Sequence, residues 1–427
     1  MQVDHQQFLK DGYIILRQLI PPERLDRLRL LAELMVDKAK ARSAAERTPD
    51  QPLGSAWYDQ GQPRVIMADV VDADTAELLE FGLEEDTLGV ASQLMQEPCC
   101  NLSSSEITCS CLIEYGHTSW HRDSAATDQA PLLGLANDLM ANDTGYIQWN
   151  IALYDDDVFW LVPGSHARPT TEAERRQLMK DPNAALDTGI CADLKAGDGI
   201  AYCNLLMHWG SWYSSKMRRT IHLSHRAFAN RMYTFSHHVY WDQDQSFMQY
   251  LSAESRSHYE QALQWYAEER DVIGGIFRGI VDNDPALFQD KLTQLHRGEK
   301  HRMTAVVLMA RLADKVHALN TLKANGLSKE EQRREIKGNA PPDKFLYFDI
   351  AERFTFEETE ILQRRFAKLN ELLNQERDRV REHYTKVYAE IHPDAGPPDF
   401  ETRALRHFHT NMPENFEVDD FIASWDS

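Results

Sequence analysis

The rhythm of hydrophobic and polar positions changes once along this chain, near residue 245. Before that point, apolar residues fall in short alternating or unbroken runs: 107–113, 146–153, 158–162, 199–204 and 219–225. Alternation places successive side chains on opposite faces of an extended segment, so these runs predict strands. Asn142-Asp143-Thr144-Gly145, Pro163-Gly164-Ser165 and Gly197-Asp198-Gly199 separate them and carry turn chemistry. Strands spaced in this way predict a closed or nearly closed all-β core. One helix precedes them, from Pro22 to about residue 41, with Leu25, Leu28, Leu31, Ala32 and Met35 on one face. Pro21-Pro22-Glu23 suits its first turn.

Beyond residue 245 the spacing becomes helical. Tyr259, Leu263 and Tyr266 share a face, as do Val306, Val307, Ala310, Ala313, Val316 and Leu319. A charged connection follows over 327–342, with a short helix at 329–336 and the breaker pair Pro341-Pro342. Thr355 with Glu358 reads as a capping box. From there Leu362, Phe366, Leu369, Leu373, Val380, Tyr384, Val387 and Ile391 form one seam, interrupted at Glu376, and Pro393 ends it. At about 1.5 Å per residue this helix reaches ~50 Å and needs a helical partner along its seam. The chain therefore divides into 1–244, the β core, and 245–427, a helical extension expected to act as buttress, lid or the arm of a homodimer. Trp265, Tyr266, Phe277 and Phe288 are its candidate pocket-wall aromatics.

Composition narrows the function classes. The formal net charge of −21 argues against nucleic acid and anionic membranes as partners. No apolar run reaches the eighteen residues of a membrane span, and the N-terminus lacks a signal-like apolar stretch, so a cytoplasmic location is expected. The six cysteines make no zinc spacing and read as reduced, mostly buried thiols. Tyr154-Asp155-Asp156-Asp157 has no EF-hand spacing and reads as a solvated hairpin tip.

The chemistry concentrates in His121-Arg122-Asp123 and in His208. Two imidazoles and a carboxylate are the ligand set of the facial triad that binds non-haem Fe(II) with three positions open. In an extended segment His121 and Asp123 face the same way and Arg122 the other. A kinase catalytic loop is excluded, because no Asn follows at its offset and neither a Gly-rich loop nor Asp-Phe-Gly is present. An iron bound there attracts a chelating 2-oxo acid, whose far carboxylate calls for an Arg.

The order of these pieces, from Phe8-Leu9-Lys10-Asp11-Gly12-Tyr13 through Trp120-His121-Arg122-Asp123, Pro163-Gly164-Ser165-His166 and Gly197-Asp198-Gly199 to His208 and Arg219, resembles the phytanoyl-CoA dioxygenase family of Fe(II)/2-oxoglutarate oxygenases. The resemblance covers about residues 8–228. It implies a mainly β fold with α, a double-stranded β-helix (jelly-roll, cupin-like) with N-terminal helices and the C-terminal helical extension. It implies a dioxygenase that hydroxylates or otherwise oxidises a small-molecule substrate, using Fe(II), 2-oxoglutarate and O2 and releasing succinate and CO2. His121, Asp123 and His208 match its metal ligands, and Arg219 its position for the far carboxylate of 2-oxoglutarate. Arg218 is then expected on the opposite face. Ser211 or Thr220 is a candidate hydroxyl for the same carboxylate, and Trp149 stands where the family often places tryptophan. The carboxylate of Asp123 favours hydroxylation over halogenation. Two other readings compete: a jelly-roll binding or scaffold protein with a vestigial metal site, and a 2-oxoglutarate-independent cupin-type metalloenzyme. The intact triad with Arg219 argues against both.

Overall fold

The computed structural model describes the chain except residues 50–56, 58–61, 112–113, 115, 124–129, 229–240, 242–243, 338–345, 397–406 and 427. Eleven strands are described: β1 Tyr13–Leu16, β2 Arg64–Ile66, β3 Cys100–Cys109, β4 Gly116–His117, β5 Tyr146–Ala152, β6 Trp160–Leu161, β7 Ile190–Cys191, β8 Gly199–Cys203, β9 His208–Trp209, β10 Ser211–Trp212 and β11 Arg219–Ala227. They form a six-stranded sheet in the order β1-β8-β5-β11-β3-β2, a three-stranded sheet β7-β6-β9 and a pair β10-β4. Every pairing is antiparallel.

Register gives the large sheet two unlike faces, because residues directly opposite across antiparallel strands share a face. Ala201, Trp149, Leu223 and Ser105 form one row, and Ile151, Ile221, Ile107 and Val65 another. Most of these residues are apolar and lie in the main hydrophobic core. The other face carries Tyr202, Gln148, Ser224 and Ser104 in one row and Ile200, Asn150, His222 and Glu106 in the next. Strand β3 is buried at all ten positions although it reads Cys-Asn-Leu-Ser-Ser-Ser-Glu-Ile-Thr-Cys. The apolar run at 107–113 marked only its end, and residues 112–113 lie outside the described ones.

The helical half holds Ala253–Val281, Pro285–Leu295, Arg302–Ala324 and the 36-residue Phe356–Ile391. The expected capping box is formed: Thr355 N–H donates to Glu358 Oε2 at 2.8 Å and Glu358 N–H to Thr355 Oγ1 at 3.2 Å. The seam finds its partners within the chain. Leu362, Phe366, Leu369 and Leu373 lie in the same core as Ile151 and Ile221 of the sheet. Val380 and Tyr384 pack instead on Phe408. None of the six cysteines is joined in a disulfide, and burial pushes Cys100 and Cys203 up to about 12, so both stay protonated.

Candidate metal centre

His121 and His208 are joined before their side chains meet. His121 N–H donates to His208 O and His208 N–H to His121 O, both at 2.9 Å, forming an isolated antiparallel bridge. Asp123 N–H donates to Asn204 O at 2.9 Å. The segment is thus extended, and its side chains alternate. Trp120 turns away from the site, stacks on Trp209 at 4.6 Å between centroids and donates from Nε1 to Ala184 O. His121 and Asp123 turn inward.

The three inward side chains converge. His121 Nε2 stands 3.6 Å from Asp123 Oδ1, and His208 Nε2 stands 3.7 Å from Asp123 Oδ2. One donor atom from each of the three lies within 4.8 Å of the others. Each imidazole donates from Nδ1 to a backbone carbonyl, His121 to Ser119 O at 2.8 Å and His208 to Leu206 O at 2.9 Å. That fixes the proton on Nδ1 and leaves the Nε2 lone pair facing the shared centre, which is how metal-binding histidines are oriented. Burial, with His121 nearby, lowers His208 to about 4, so it is a neutral donor at pH 7. His208 is 6% exposed, whereas Asp123 keeps 30% and His121 28% of the side chain accessible, so the centre is open on one side. The donor set fits a divalent cation with vacant positions.

Arg122 points away, as expected, into a cage of neutral acceptors. It donates to Ser165 O at 3.1 Å, Arg168 O at 3.3 Å, Thr170 Oγ1 at 3.0 Å and His409 Nε2 at 3.3 Å. Burial lowers its guanidinium to about 9. Sequence reasoning missed His409, which lies 287 positions along the chain from Arg122 and carries no local motif. The Pro163-Gly164-Ser165-His166 turn is a junction. Ser165 Oγ accepts from Met207 N at 2.7 Å, beside His208, and His166 Nε2 donates to Leu9 O at 2.9 Å. Gly12 closes the same corner at φ 83°, where a Cβ would meet His166 Nδ1 at 2.4 Å.

The expectation for Arg219 is reversed. Its Nε lies 2.8 Å from Glu33 Oε1 on the helix Pro22–Ala45, on the face shared with Ile221 and Leu223. Arg218 shares parity with Thr220 and His222 on the triad side. Its Nε donates to Asp156 Oδ2 at 2.7 Å, and Thr220 Oγ1 donates to the same oxygen at 3.1 Å. The spacing from His208 suggested Arg219, but pairing of Thr220 with Ala152 and Thr108 sets the register one residue away. Asp156 is likewise no solvated tip residue: it is 4% exposed, while its neighbours Asp155 and Asp157 are exposed. Burial acts to raise its carboxyl, but Arg218 and the surrounding donors hold it below its ordinary value.

Trp149 is fully buried on the helix-covered face, edge-on to His225 at 6.1 Å, and does not line the centre. Asn150 faces the triad side instead and accepts from His222 Nδ1 at 3.0 Å. Ser211 pairs through its backbone with His117 in the β10-β4 sheet; its side chain lies outside the described residues. Tyr202 and Phe159 wall His208, with ring centroids at 5.2 and 5.5 Å. Of the candidate aromatics, Tyr266 packs edge-on to Phe228, and Phe277 and Phe288 are buried among the helices.

A family model described as Phytanoyl-CoA dioxygenase (PhyH) matches residues 8–221. Among solved structures, EctD from S. alaskensis in its apoform is 15% identical, with a TM-score of 0.38, over 53% of this chain and 77% of that one. AviO1 from Streptomyces viridochromogenes Tue57 is 18% identical, TM-score 0.37, over 53% and 96%. HygX from Streptomyces hygroscopicus with nickel, 2-oxoglutarate and hygromycin B bound is 15% identical, TM-score 0.36, over 53% and 88%. No curated protein matches.

Proposed function

The chain belongs to the phytanoyl-CoA dioxygenase family, and from that premise we propose that it oxidises a small organic molecule at a centre built from His121, Asp123 and His208. The cofactors are Fe(II), 2-oxoglutarate and O2, and the products from the cosubstrate are succinate and CO2. When bound, the iron supplies the activation of O2 that no side chain provides.

The observation that carries the reading is the convergence of two Nε2 atoms, each freed by an Nδ1–carbonyl bond, on one carboxylate. The open side of the centre leaves room for cosubstrate and substrate. Arg218, and not Arg219, is the proposed partner for the far carboxylate. Asp156 takes only its Nε; the two terminal nitrogens have no hydrogen-bond partner among the described residues. They offer a planar fork that binds both carboxylate oxygens, and the Thr220 hydroxyl stands beside it. Asp123 keeps its place as a ligand, which favours hydroxylation over halogenation.

The large sheet and the β7-β6-β9 sheet are read together as the two walls of a double-stranded β-helix. Residues 1–244 are read as its oxygenase part. Residues 245–427 are read as support that shapes its surroundings, although the hydrophobic core runs through both. The test is anaerobic loading with Fe(II) and 2-oxoglutarate, then O2 and a succinate assay over a metabolite panel. Metal-dependent succinate, raised by one class of compound, is the expected result. Succinate formation indifferent to Fe(II), or none with any compound, overturns the reading.

A further inference from the structure

The triad-facing side of the large sheet is buried and polar at once. Ser104, Glu106, Gln148, Asn150 and Ser224 are each at most 7% exposed. Cross-strand register puts them with His222 on one continuous surface. The same rows continue to Tyr202, whose ring is 5.2 Å from His208, so this surface adjoins the centre. A dry core does not tolerate so many polar groups, because each lost hydrogen bond to water must be replaced. Some are replaced: His222 donates to Asn150, and Glu106 lies 3.4 Å from Arg64, which is itself 55% exposed. Gln148 Oε1 is not. It is buried and has no hydrogen-bond partner among the described residues. An acceptor left open on a buried wall awaits a donor that arrives with a ligand.

Charge adds a second constraint. Arg64 is paired with Glu106, and Arg218 is paired with Asp156 through Nε while its terminal nitrogens are assigned above to the cosubstrate, so each cation has its counter-charge. A divalent metal, Asp123 and a dianionic cosubstrate leave one net negative charge. Among the described residues the rest of this wall is neutral, since burial, with Arg64 nearby, lowers His222 to about 4. An anionic substrate meets no spare cation among the described residues of this wall, and an alkyl chain would strand the polar rows.

Resting on the reading above, we propose that the polar face beside the triad takes a polar small molecule, neutral or cationic, whose hydroxyl or amino groups donate to Gln148 Oε1 and the Glu106 carboxylate. Long acyl chains and acyl-coenzyme A thioesters are excluded by the same wall.

The test uses full-length protein with Co(II) in place of Fe(II) and saturating 2-oxoglutarate, titrated calorimetrically. One probe group is aminocyclitols, amino sugars and polyols; the other is fatty acids and acyl-coenzyme A thioesters. Binding confined to the first group is expected, weakened at least tenfold by Gln148→Leu and by Glu106→Gln. Binding of the second group, absence of binding by every member of the first, or affinities unchanged in both variants overturns the proposal. Melting of the ligand-free Gln148→Leu protein gives an independent arm. It is expected at or above the wild-type temperature, because an unpartnered buried oxygen is removed. A fall of several degrees shows Gln148 to be a structural tie and overturns its role as a ligand acceptor. If wild-type protein takes up neither Co(II) nor 2-oxoglutarate, the iron-oxygenase reading fails, and the melting arm still decides the role of Gln148.

Discussion

Arg218→Ala and Arg219→Ala separate two adjacent cations by the faces they occupy. The Arg218 side chain is 9% exposed and is bonded to the Asp156 side chain, which is 2% exposed. Removing a partner of a desolvated charge pair costs about 2–5 kcal/mol of binding, so 2-oxoglutarate affinity should fall roughly 30-fold to several-thousand-fold. The same change leaves the Asp156 carboxylate, among the described residues, with the Thr220 hydroxyl and the Val158 backbone N–H as its remaining donors. That costs about 3–5 kcal/mol of stability. A companion variant, Arg218→Met with Asp156→Asn, removes both charges and avoids the stranded carboxylate, so binding can be measured on folded protein. Arg219 pairs with Glu33, which is 35% exposed, and its loss should cost about 1 kcal/mol of stability. It should change 2-oxoglutarate affinity less than threefold. The assay is calorimetric titration of 2-oxoglutarate into Co(II)-loaded protein, with melting curves for each variant. If Arg219→Ala lost as much affinity as the Arg218 variants, the assignment by register would be refuted.

His409→Ala removes one of the acceptors around the buried Arg122 guanidinium and should cost about 1–3 kcal/mol of stability; Co(II) affinity should fall as the ligand-bearing segment loosens, and His409→Gln should restore it. Co(II) affinity unchanged in His409→Ala would limit that residue to a packing role. His225 is buried, donates from Nε2 to Gly82 O at 2.7 Å, and is lowered by burial to about 4. Because its folded value is depressed, its stabilising effect is full above about 6.5 and is lost as pH falls toward 4; metal-free protein should lose about 2 kcal/mol from this residue between pH 7 and pH 5. His225→Gln should flatten that part of the melting-temperature profile, and an unaltered slope would contradict the assignment. Leu369→Asp with Leu373→Asp places two carboxylates in the main core, where the native side chains are 0% and 4% exposed. No soluble folded protein is expected; a native melting temperature would show the seam to be solvated.

The convergence of His121, Asp123 and His208 was legible because their side-chain types and the i, i+2 spacing carry their own geometry, and because His208 lies in an apolar run that becomes β9. The long helix was legible because Thr355 and Glu358 announce its start and its apolar seam, interrupted at Glu376, resumes in the same spacing. Strand β3 was hidden for a physical reason. Ser104 and Glu106 are buried on the polar triad side while Ser105 sits on the core face, so the usual alternation of apolar and polar residues is absent. The face of Arg219 was misread because a one-residue change in register exchanges the two sides of a strand. Asp156 and Asp157 look alike in sequence, and only the pairing of Asp156 with Leu194 turns one inward. His409 reaches Arg122 through tertiary packing alone.

Anaerobic titration of Fe(II) into the wild type and into Asp123→Ala tests the centre most directly. Asp123 is the group on which both imidazoles converge, so its loss should remove high-affinity metal binding while the fold survives. One tightly bound Fe(II) per wild-type chain and metal-dependent uptake of 2-oxoglutarate are expected, and neither in an Asp123→Ala variant with a native circular dichroism spectrum. Equal, stoichiometric Fe(II) binding by both proteins would contradict the proposed centre.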